Sequence, residues 1–213
     1  MAVQGRRHDL PRILLTHYDK HNMKLINIIN NYASEAQQPY YHLKADTALL
    51  RNNDAFYIPD GVGRVVAQPC IVLKVSRLAK CIGERFAARC VEGVMGGVSF
   101  TAIDKLNEAR QLGLPWDEAV GFDHSSALSL ETLSTEALSE GAVFYINGEV
   151  RARIALDAMS FTMERVVSHL SECMTLRIGD LIYLGAAEEF EAKAGDNYRL
   201  DIAGKTLLNF DIK

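Results

Sequence analysis

Residues 143–185 constrain the fold of this chain more than any other stretch of the sequence. They open with an apolar run at residues 143–146, and the dipeptide Asn147-Gly148 follows directly. Asn and Gly both tolerate the positive φ angles that a two-residue hairpin turn requires. The pattern therefore predicts a β-hairpin whose second strand is Glu149–Ile154.

An amphipathic helix is predicted after this hairpin. Thr162 can accept a hydrogen bond from a free backbone N–H at the helix start, and Glu164 suits the positive end of the helix dipole. A turn at residues 176–180 then leads into a buried strand predicted at residues 181–184. The residues at helical spacing that predict one buried helix face are Met163, Val166, Val167, Leu170 and Met174.

The rest of the chain is interpreted as further strands and a few short helices. A strand is predicted at residues 71–75 and then a short helix that ends at Gly93, while residues 93–97 are interpreted as a glycine-rich turn. A helix over about residues 101–112 has Gly113 as the residue that ends it. The remaining predicted elements are a short helix from Pro115 and strands at residues 198–202 and 206–212. This pattern predicts a mixed, β-rich α+β fold.

The composition excludes several classes of protein. A chain of 213 residues, of which 48% are hydrophobic, is large enough to bury a core as one domain. Its formal net charge of −4 and its scattered basic residues argue against nucleic-acid binding, which needs clustered Lys and Arg. No apolar run approaches the roughly 18 residues of a membrane span, and the N-terminus has no apolar signal core. Cytoplasmic residence is therefore expected.

Three of the cysteines, Cys81, Cys90 and Cys173, and the helical histidine are interpreted as structural residues. The four cysteines, Cys70, Cys81, Cys90 and Cys173, form no C-x-x-C pair and no zinc-module spacing with histidines. Reduced thiols are expected in a cytosolic protein. His169 lies on the predicted amphipathic helix and has no partner that the sequence identifies.

Several short motifs follow one another in a fixed order along the chain. They are KADTALL at residues 44–50, FTAID at 100–104, GLPW at 113–116, GFD at 121–123, NGE at 147–149, MTLRIGDLIYLG at 174–185 and AGD at 194–196. This ordered combination resembles the fumarylacetoacetate hydrolase superfamily, in particular its bacterial acylpyruvate or 2-hydroxyhepta-2,4-diene-1,7-dioate isomerase-type members.

The resemblance implies a fold and a domain organisation. The expected fold is the family's β-roll, in which mostly antiparallel strands curl around a cleft and short helices lie at the periphery. Residues 23–213 are expected to form this domain. Residues 1–22 are expected to be a flexible extension, or an artefact of an upstream start codon if translation begins at Met23. A homodimer is also implied, because the family usually dimerises through its β-rich face.

The resemblance also implies where a metal ion binds in active relatives. They cleave or decarboxylate short β-diketo or acylpyruvate-type acids with bound Mg²⁺ or Mn²⁺, which a Glu-x-Glu and a later Asp hold through carboxylate oxygens. In this chain the three positions are Gln68, Cys70 and Ser99. No Glu, Asp or His lies between Val62 and Val72, so a modest shift of the alignment does not restore the carboxylates. No metal cofactor is therefore expected.

The other site positions of the family carry changed residues as well. The water-activating histidine of the family corresponds to Glu35, and its substrate-holding lysine corresponds to Val120. Lys44 is the substrate contact that this chain keeps. The positions that the resemblance assigns to the ligand cleft are Lys44, Asn30, Ala152 and Ala186.

Three functions are compatible with these observations. The favoured one is a non-catalytic family member that binds a small oxo acid or an unknown protein partner. The second is a hydrolase or decarboxylase of small β-diketo or acylpyruvate-type acids with an atypical site. The third is a soft-metal site in which Cys70, His42 and His124 hold Zn²⁺, because thiolate and imidazole suit zinc better than magnesium.

Overall fold

A computed structural model describes residues 23–32 and 35–213, and strands dominate this part of the chain. The strands are β1 (Leu25–Ile28), β2 (Tyr41–Lys44), β3 (Leu49–Leu50), β4 (Val65–Val75), β5 (Val91–Ala102), β6 (Ser126–Leu128), β7 (Ala142–Ile146), β8 (Glu149–Ile154), β9 (Leu181–Tyr183), β10 (Phe190–Glu191), β11 (Asn197–Ile202) and β12 (Lys205–Asp211). The α-helices are α1 (Glu84–Ala87), α2 (Ile103–Leu112), α3 (Asp117–Val120) and α4 (Met163–Cys173). The 3-10 helices are Asp46–Ala48, Ala88–Cys90, Thr135–Glu140 and Leu156–Ala158. The extension expected at residues 1–22 lies outside the described residues.

These strands form two sheets. In the larger sheet β2, β1, β9, β4, β5, β6 and β3 are neighbours in that order, and β10 also pairs with β4. In the smaller sheet the order is β12, β11, β7 and β8. The pairs β1–β9 and β3–β6 are parallel, and the other neighbouring strands named here are antiparallel. The prediction of a β-rich fold with mostly antiparallel strands is confirmed.

The larger sheet is rolled, and its two end strands come close to each other. β2 ends at Lys44 and β3 begins at Leu49, so only the 3-10 turn Asp46–Ala48 and its flanking residue separate them. Neighbouring strands lie about 4.8 Å apart, so a flat sheet would hold β2 and β5 about 19 Å from each other. Nζ of Lys44 on β2 nevertheless lies 3.0 Å from Oγ of Ser99 on β5. The sheet therefore curls around an interior, which these two side chains share.

The two faces of the rolled sheet have different environments, because alternate residues of a strand point to opposite faces. One face packs on the smaller sheet and forms the main core, where Phe100 on β5 meets Phe210 on β12 edge to face with ring centroids 6.4 Å apart. Ile71 on β4 belongs to the same core. Cys70 and Val72 belong to a second, smaller buried cluster. They point into the interior of the roll, where the candidate site lies.

The hairpin and the helix predicted in residues 143–185 are confirmed. β7 and β8 pair through a turn in which Asn147 has a φ of 53° and Gly148 a φ of 81°. α4 begins after Thr162, whose Oγ1 accepts a hydrogen bond from N of Arg165 at 3.2 Å. The α-helices have between 4 and 11 residues, and none of those described is long and apolar enough to cross a membrane.

The glycine-rich segment at residues 93–97 is not a turn, and this prediction was wrong. The segment lies inside β5, and the helix predicted to end at Gly93 is the short α1 followed by a 3-10 turn. A Cβ atom added to Gly93 would lie 2.1 Å from O of Leu133, and one added to Gly97 would lie 2.5 Å from Cγ2 of Val72. A glycine inside a strand often marks a place where another part of the chain approaches closely. These glycines allow such an approach to β5.

A buried carboxylate fixes β9 beside β1. Asp180 is 0% exposed, accepts hydrogen bonds from N of Lys24 at 2.9 Å and from N of Arg177 at 2.7 Å, and forms an ion pair with Nζ of Lys24. Lys24 directly precedes β1 and Asp180 directly precedes β9, so the contact aligns the same ends of two parallel strands. The alignment places Tyr183 of β9 in the interior of the roll.

Candidate functional site

A row of polar side chains crosses three neighbouring strands inside the roll. Gln68 on β4 lies directly opposite Ser99 on β5, and Ser99 lies directly opposite Ser126 on β6. Directly opposed residues of an antiparallel pair share one face, so the three side chains are neighbours. Nε2 of Gln68 donates to O of Ala186 at 2.9 Å. Oγ of Ser126 is buried and has no hydrogen-bond partner among the described residues.

The ammonium group of Lys44 is buried beside this row. The residue is 4% exposed, and Nζ donates to Oγ of Ser99 at 3.0 Å, to O of Phe100 at 3.0 Å and to O of Ser125 at 2.8 Å. Burial lowers the pKa of Lys44 to about 7, against a smaller opposite effect of Cys70. Within residues 23–32 and 35–213, no carboxylate lies at ion-pair distance from this ammonium. The interior therefore holds a lysine that is about half protonated at pH 7, and its ammonium form has no direct counter-charge among these residues.

Cys70 is a buried thiol. It is 0% exposed, and its Sγ donates to O of Gln68 at 3.2 Å. Burial raises the pKa of Cys70 to about 12, although a backbone hydrogen bond from Gly185 and the charge of Lys44 act in the opposite direction. The sulfur is therefore protonated at neutral pH, and it is the thiolate that binds metal ions and reacts as a nucleophile.

His42 and Asn27 face each other across the β1–β2 pair. Burial, and to a smaller extent the charge of Lys44, lower the pKa of His42 to about 3, so its imidazole is neutral at physiological pH. Nε2 of His42 and both amide atoms of Asn27 are buried without a hydrogen-bond partner in the described part of the chain. Buried polar atoms in proteins are nearly always hydrogen-bonded to protein, water or ligand. His42 also lines a pocket, so its Nε2 is placed to bind a polar molecule.

Two adjoining pockets open onto the polar row. Their volumes are about 130 and 150 Å³, and they share Ile29, Gln68 and Glu189 as lining residues. A water molecule occupies about 30 Å³ in the liquid, so each pocket has room for about four or five groups of that size. Both pockets together suit an acid of three or four carbon atoms. The side chains that also line the first pocket are His42, Ser99, Thr101, Ile103, Leu106, Arg110, Trp116 and Val120.

Several lining residues, among them Arg110, Trp116 and Glu189, were not predicted as site residues from the sequence. Arg110 on α2 lies over the ring of Trp116 at 5.7 Å, and both line the first pocket. Ile103 and Arg110 are seven residues apart, which is about two helical turns, so their side chains lie on the same face of α2. This spacing could have identified Arg110 as a lining residue. Glu189 directly precedes β10, whose antiparallel pairing with β4 places Phe190 opposite Ala67 and so brings Glu189 to Gln68. This pairing joins strands that are distant in the sequence, and no local pattern encodes it.

The structure brings several of the predicted site positions together. Gln68 and Ser99 line the first pocket, and Val120 lines it as well. Ala186 lines the second pocket. Lys44 contacts the cleft through Ser99, whose oxygen accepts a hydrogen bond from the lysine Nζ. These positions, which are far apart in the sequence, form one site in the fold.

Other predicted positions lie elsewhere. Ala152 is on β8 of the smaller sheet, where it is 4% exposed and packs in the main core, because its side of the strand faces the other sheet. Asn30 holds a turn: its Oδ1 accepts from N of Tyr40 at 2.7 Å and its Nδ2 donates to O of Gln38 at 3.1 Å. Glu35 is exposed, and neither Asn30 nor Glu35 lines the two pockets.

The soft-metal set of Cys70, His42 and His124 is not assembled. His124 is exposed in the loop before β6 with a φ of 63°, whereas Cys70 is fully buried as a thiol. Over residues 23–32 and 35–213, no three His, Cys, Asp or Glu side chains lie close enough together to hold a metal ion. The geometry does not support a zinc site in the cleft.

The donor atoms at Gln68, Cys70 and Ser99 also do not fit Mg²⁺ or Mn²⁺. These hard cations prefer several oxygen donors, including carboxylates whose charge offsets their own. The three side chains offer an amide, a protonated thiol and a hydroxyl whose oxygen already accepts a hydrogen bond from Lys44. The lysine ammonium, 3.0 Å from Oγ of Ser99, would also repel a cation at that position.

Comparison with known proteins identifies the family. The sequence model described as fumarylacetoacetate (FAA) hydrolase C-terminal matches residues 16–213. A mitochondrial oxaloacetate tautomerase of Arabidopsis thaliana is 24% identical over 206 residues, which are 91% of this chain and 92% of that protein. A fumarylpyruvate hydrolase of a Ralstonia species is 24% identical over 163 residues, 75% of this chain and 85% of that protein.

A solved structure shows the same fold. The fumarylpyruvate hydrolase of Pseudomonas aeruginosa, crystallised in complex with Mn²⁺ and pyruvate, superposes with a TM-score of 0.81 over 89% of this chain and 88% of that chain, at 20% identity. The predicted β-roll is thereby confirmed. Together with the match of the family model to residues 16–213, these findings show that the chain belongs to the fumarylacetoacetate hydrolase family.

Proposed function

We propose that this family member binds a small oxo-acid anion in its cleft without a metal ion, and that it does not cleave or decarboxylate this ligand. The observation that carries the proposal is the buried ammonium of Lys44, which has three hydrogen-bond acceptors but no carboxylate partner among the described residues. Charges interact strongly in a protein interior, so an anion bound beside Ser99 is stabilised by this lysine. Relatives named for oxaloacetate and fumarylpyruvate support the choice of an oxo acid.

The hydrogen bonds of the polar row explain how the charge of Lys44 reaches the ligand. Oγ of Ser99 accepts from Lys44, so the hydroxyl of Ser99 directs its own proton to another acceptor. Ser99 lines the first pocket beside Thr101, whose hydroxyl is a second donor. Nε2 of Gln68 uses one hydrogen for O of Ala186 and keeps the other. A ligand carboxylate in the pocket can accept from all three side chains.

The absence of turnover follows, in this proposal, from the residue types at the site. Val120 lines the first pocket with an apolar side chain where active relatives have a lysine. Glu35 stands at the family's water-activating position, and it is exposed and lines neither pocket. The family reaction also needs a metal ion to stabilise negative charge that develops on the substrate, a contribution of several kcal/mol. The amide, thiol and hydroxyl at the corresponding positions do not fit that ion.

Calorimetric titration with pyruvate and with oxaloacetate in EDTA tests the proposal. We expect binding of one anion per chain in the unmodified protein and at least about tenfold weaker binding in Lys44→Met, because the charge that stabilises an anion beside Ser99 is then lost from the protein interior. Lys74→Met is the matched control, since Lys74 forms a half-exposed ion pair with Glu92 at 3.0 Å. Equal affinities of the Lys44→Met and unmodified proteins, or binding that EDTA abolishes, would contradict the proposal.

A second candidate function is favoured by Glu189. Its carboxylate lines both pockets next to Gln68, and a carboxylate at that place could take a proton from a bound oxo acid. The chain would then be a hydrolase, decarboxylase or isomerase of small β-diketo or acylpyruvate-type acids with an atypical site. Activity towards oxaloacetate or an acylpyruvate that persists in EDTA and disappears in Glu189→Gln would establish this alternative.

We propose further that the protein is a homodimer that resides in the cytoplasm. The dimer is supported by family membership, because relatives usually dimerise through the β-rich face. Light scattering at micromolar concentration should give about twice the chain mass of 23.6 kDa, and a mass near that of one chain would contradict the dimer. Fractionation of expressing cells tests the compartment, since one relative is named as mitochondrial.

A further inference from the structure

Cys173 and His169 form a pair of metal-ligating side chains at the end of α4. The two residues are four positions apart, so they lie on the same face of the helix. Sγ of Cys173 and Nε2 of His169 are 3.7 Å apart. Cys173 is exposed, whereas His169 is 9% exposed and held by the packing of the helix. Neither residue lines the two pockets of the cleft.

The distance between the two atoms matches that of two ligands on one zinc ion. Zn–S bonds are about 2.3 Å and Zn–N bonds about 2.0–2.1 Å, and the angle between them is tetrahedral. These values require a distance of about 3.6 Å between sulfur and nitrogen. The observed distance of 3.7 Å is close to this value.

Tyr41 on β2 supplies a neighbouring oxygen. Its phenol group lies close enough to the thiol of Cys173 for the two groups to interact electrostatically. Burial, and then the sulfur of Cys173, raise the pKa of Tyr41 above its ordinary value. Sulfur, nitrogen and oxygen atoms from two different elements thus converge at one place on the surface.

We propose that Cys173 and His169 bind a thiophilic divalent cation such as Zn²⁺. On binding, the thiol of Cys173 releases its proton to solvent, the thiolate sulfur and the neutral Nε2 of His169 each donate an electron pair to the ion, and water or the oxygen of Tyr41 fills the remaining positions. No oxidation or reduction occurs. Thiolate and imidazole select such a cation against Mg²⁺, which prefers oxygen.

The ion would connect α4 to β2 when Tyr41 takes part. β2 is an end strand of the rolled sheet, with β1 as its neighbour. Tyr41 is next to His42 in the strand, so their side chains point to opposite faces. An ion held by Cys173, His169 and Tyr41 would therefore fix, from outside the roll, the strand that carries His42 and Lys44 inside it.

Titration of the reduced protein with Cd²⁺ tests the site. Charge transfer from a thiolate to Cd²⁺ absorbs in the ultraviolet, so the absorption band reports only Cd²⁺ ions that are bound to a thiolate. We expect one Cd²⁺ per chain. Cys173→Ser should remove the absorption band, and His169→Gln should weaken Cd²⁺ binding at least about tenfold. Cys81→Ser is the matched control, because Cys81 is the other exposed thiol in the described part of the chain, and it should leave the band unchanged.

A measurement on the unmodified protein avoids any doubt about the folding of variants. Zn²⁺ should slow alkylation of Cys173 by iodoacetamide at least about fivefold while Cys81 reacts at an unchanged rate, as mass spectrometry of the two peptides can show. The proposal is overturned if Zn²⁺ protects both thiols equally or neither of them. It is also overturned if folded His169→Gln protein binds Cd²⁺ as tightly as the unmodified chain.

Discussion

Lys44 is buried without a carboxylate neighbour in the described part of the chain, so its charge changes with pH near neutrality. Its pKa is about 7 in the folded protein because burial disfavours the ammonium form. If an anion binds through this charge, its affinity should fall as pH rises through about 7, by up to tenfold per pH unit for one coupled proton. Calorimetry with pyruvate from pH 6 to pH 9 checks this. The pyruvate affinity of Lys44→Met should not change with pH in this range. A pyruvate affinity of the unmodified protein that does not change with pH would contradict the prediction.

The same residue should make stability depend on pH. The pKa of Lys44 is lowered on folding from 10.5 to about 7, so the unfolded chain binds more protons between these values. The free energy of unfolding should therefore rise with pH from about 7 to 10.5, with a slope from this group of up to about 1.4 kcal/mol per pH unit. Urea denaturation of the unmodified protein and of Lys44→Met should show this difference in slope. Parallel curves would show that Lys44 does not titrate in this range.

Three substitutions should create a magnesium site in the cleft. Gln68→Glu, Cys70→Glu and Ser99→Asp together place three carboxylates on one face of the β4–β5 pair, because Gln68 lies opposite Ser99 and Cys70 lies two residues further along β4. We expect Mg²⁺ affinity of the order of 1 mM or tighter by calorimetry, because carboxylate oxygens both coordinate the ion and offset its charge. Gln68→Glu alone is the control and should not bind.

Hydrolysis of an acylpyruvate by this triple variant should remain slow. Val120 would still stand at the substrate-holding position of the family inside the first pocket, so Val120→Lys should also be required. A folded triple variant that releases or absorbs no heat with Mg²⁺ would show that the assignment of the three positions is wrong.

At the scale of elements, β5 depends on glycine for its close contacts. A Cβ at Gly97 would lie 2.5 Å from Cγ2 of Val72 and 2.8 Å from Cε1 of Tyr183, both inside the roll. Gly97→Ala should therefore lower the free energy of unfolding by about 1–3 kcal/mol, as overpacking of a filled core does. Gly83→Ala is the control, since a Cβ there meets no atom within 4 Å. Urea denaturation measures both, and equal small losses would contradict this account.

Local sequence rules predicted the elements whose structure is set by neighbouring residues. The turn at Asn147-Gly148 and the start of α4 at Thr162 both follow from the backbone preferences or side-chain hydrogen bonds of a few residues. The segment 93–97 was assigned wrongly because glycine permits both a turn and a close approach. Here the approach of Leu133 and Val72 decides between them, and these residues are distant in the sequence.

Only the site residues that belong to sequence motifs could be predicted. The motif positions Lys44 and Ser99 were identified, but their hydrogen bond exists because the sheet rolls β2 towards β5. Glu189 is in no motif, and the pairing of β10 with β4 brings it to Gln68. His169 and Cys173 were interpreted as separate structural residues, although their helical spacing predicts contact.

At the scale of the whole molecule, the fold persists where sequence identity is low. The chain superposes on a Mn²⁺-bound and pyruvate-bound fumarylpyruvate hydrolase with a TM-score of 0.81 at 20% identity. A fold does not by itself imply a reaction, because the chemistry depends on the side chains at the site. In this chain the rolled sheet places Gln68, Ser99 and Lys44 together. Their amide, hydroxyl and ammonium groups are suited to binding an anion and poorly suited to holding a dication.

We therefore expect the purified protein neither to bind Mg²⁺ in the cleft nor to hydrolyse acylpyruvates or decarboxylate oxaloacetate. The family reaction depends on a cation that polarises the oxo-acid oxygens and stabilises the enolate. The amide of Gln68, the protonated thiol of Cys70 and the hydroxyl of Ser99 offer no carboxylate that would hold this cation. Steady-state assays with added Mg²⁺ or Mn²⁺, each repeated in EDTA, measure this directly. Turnover of an acylpyruvate faster than about 1 per second, the lower end of typical enzyme rates, that disappears in EDTA would show that the protein is a metal-dependent enzyme after all.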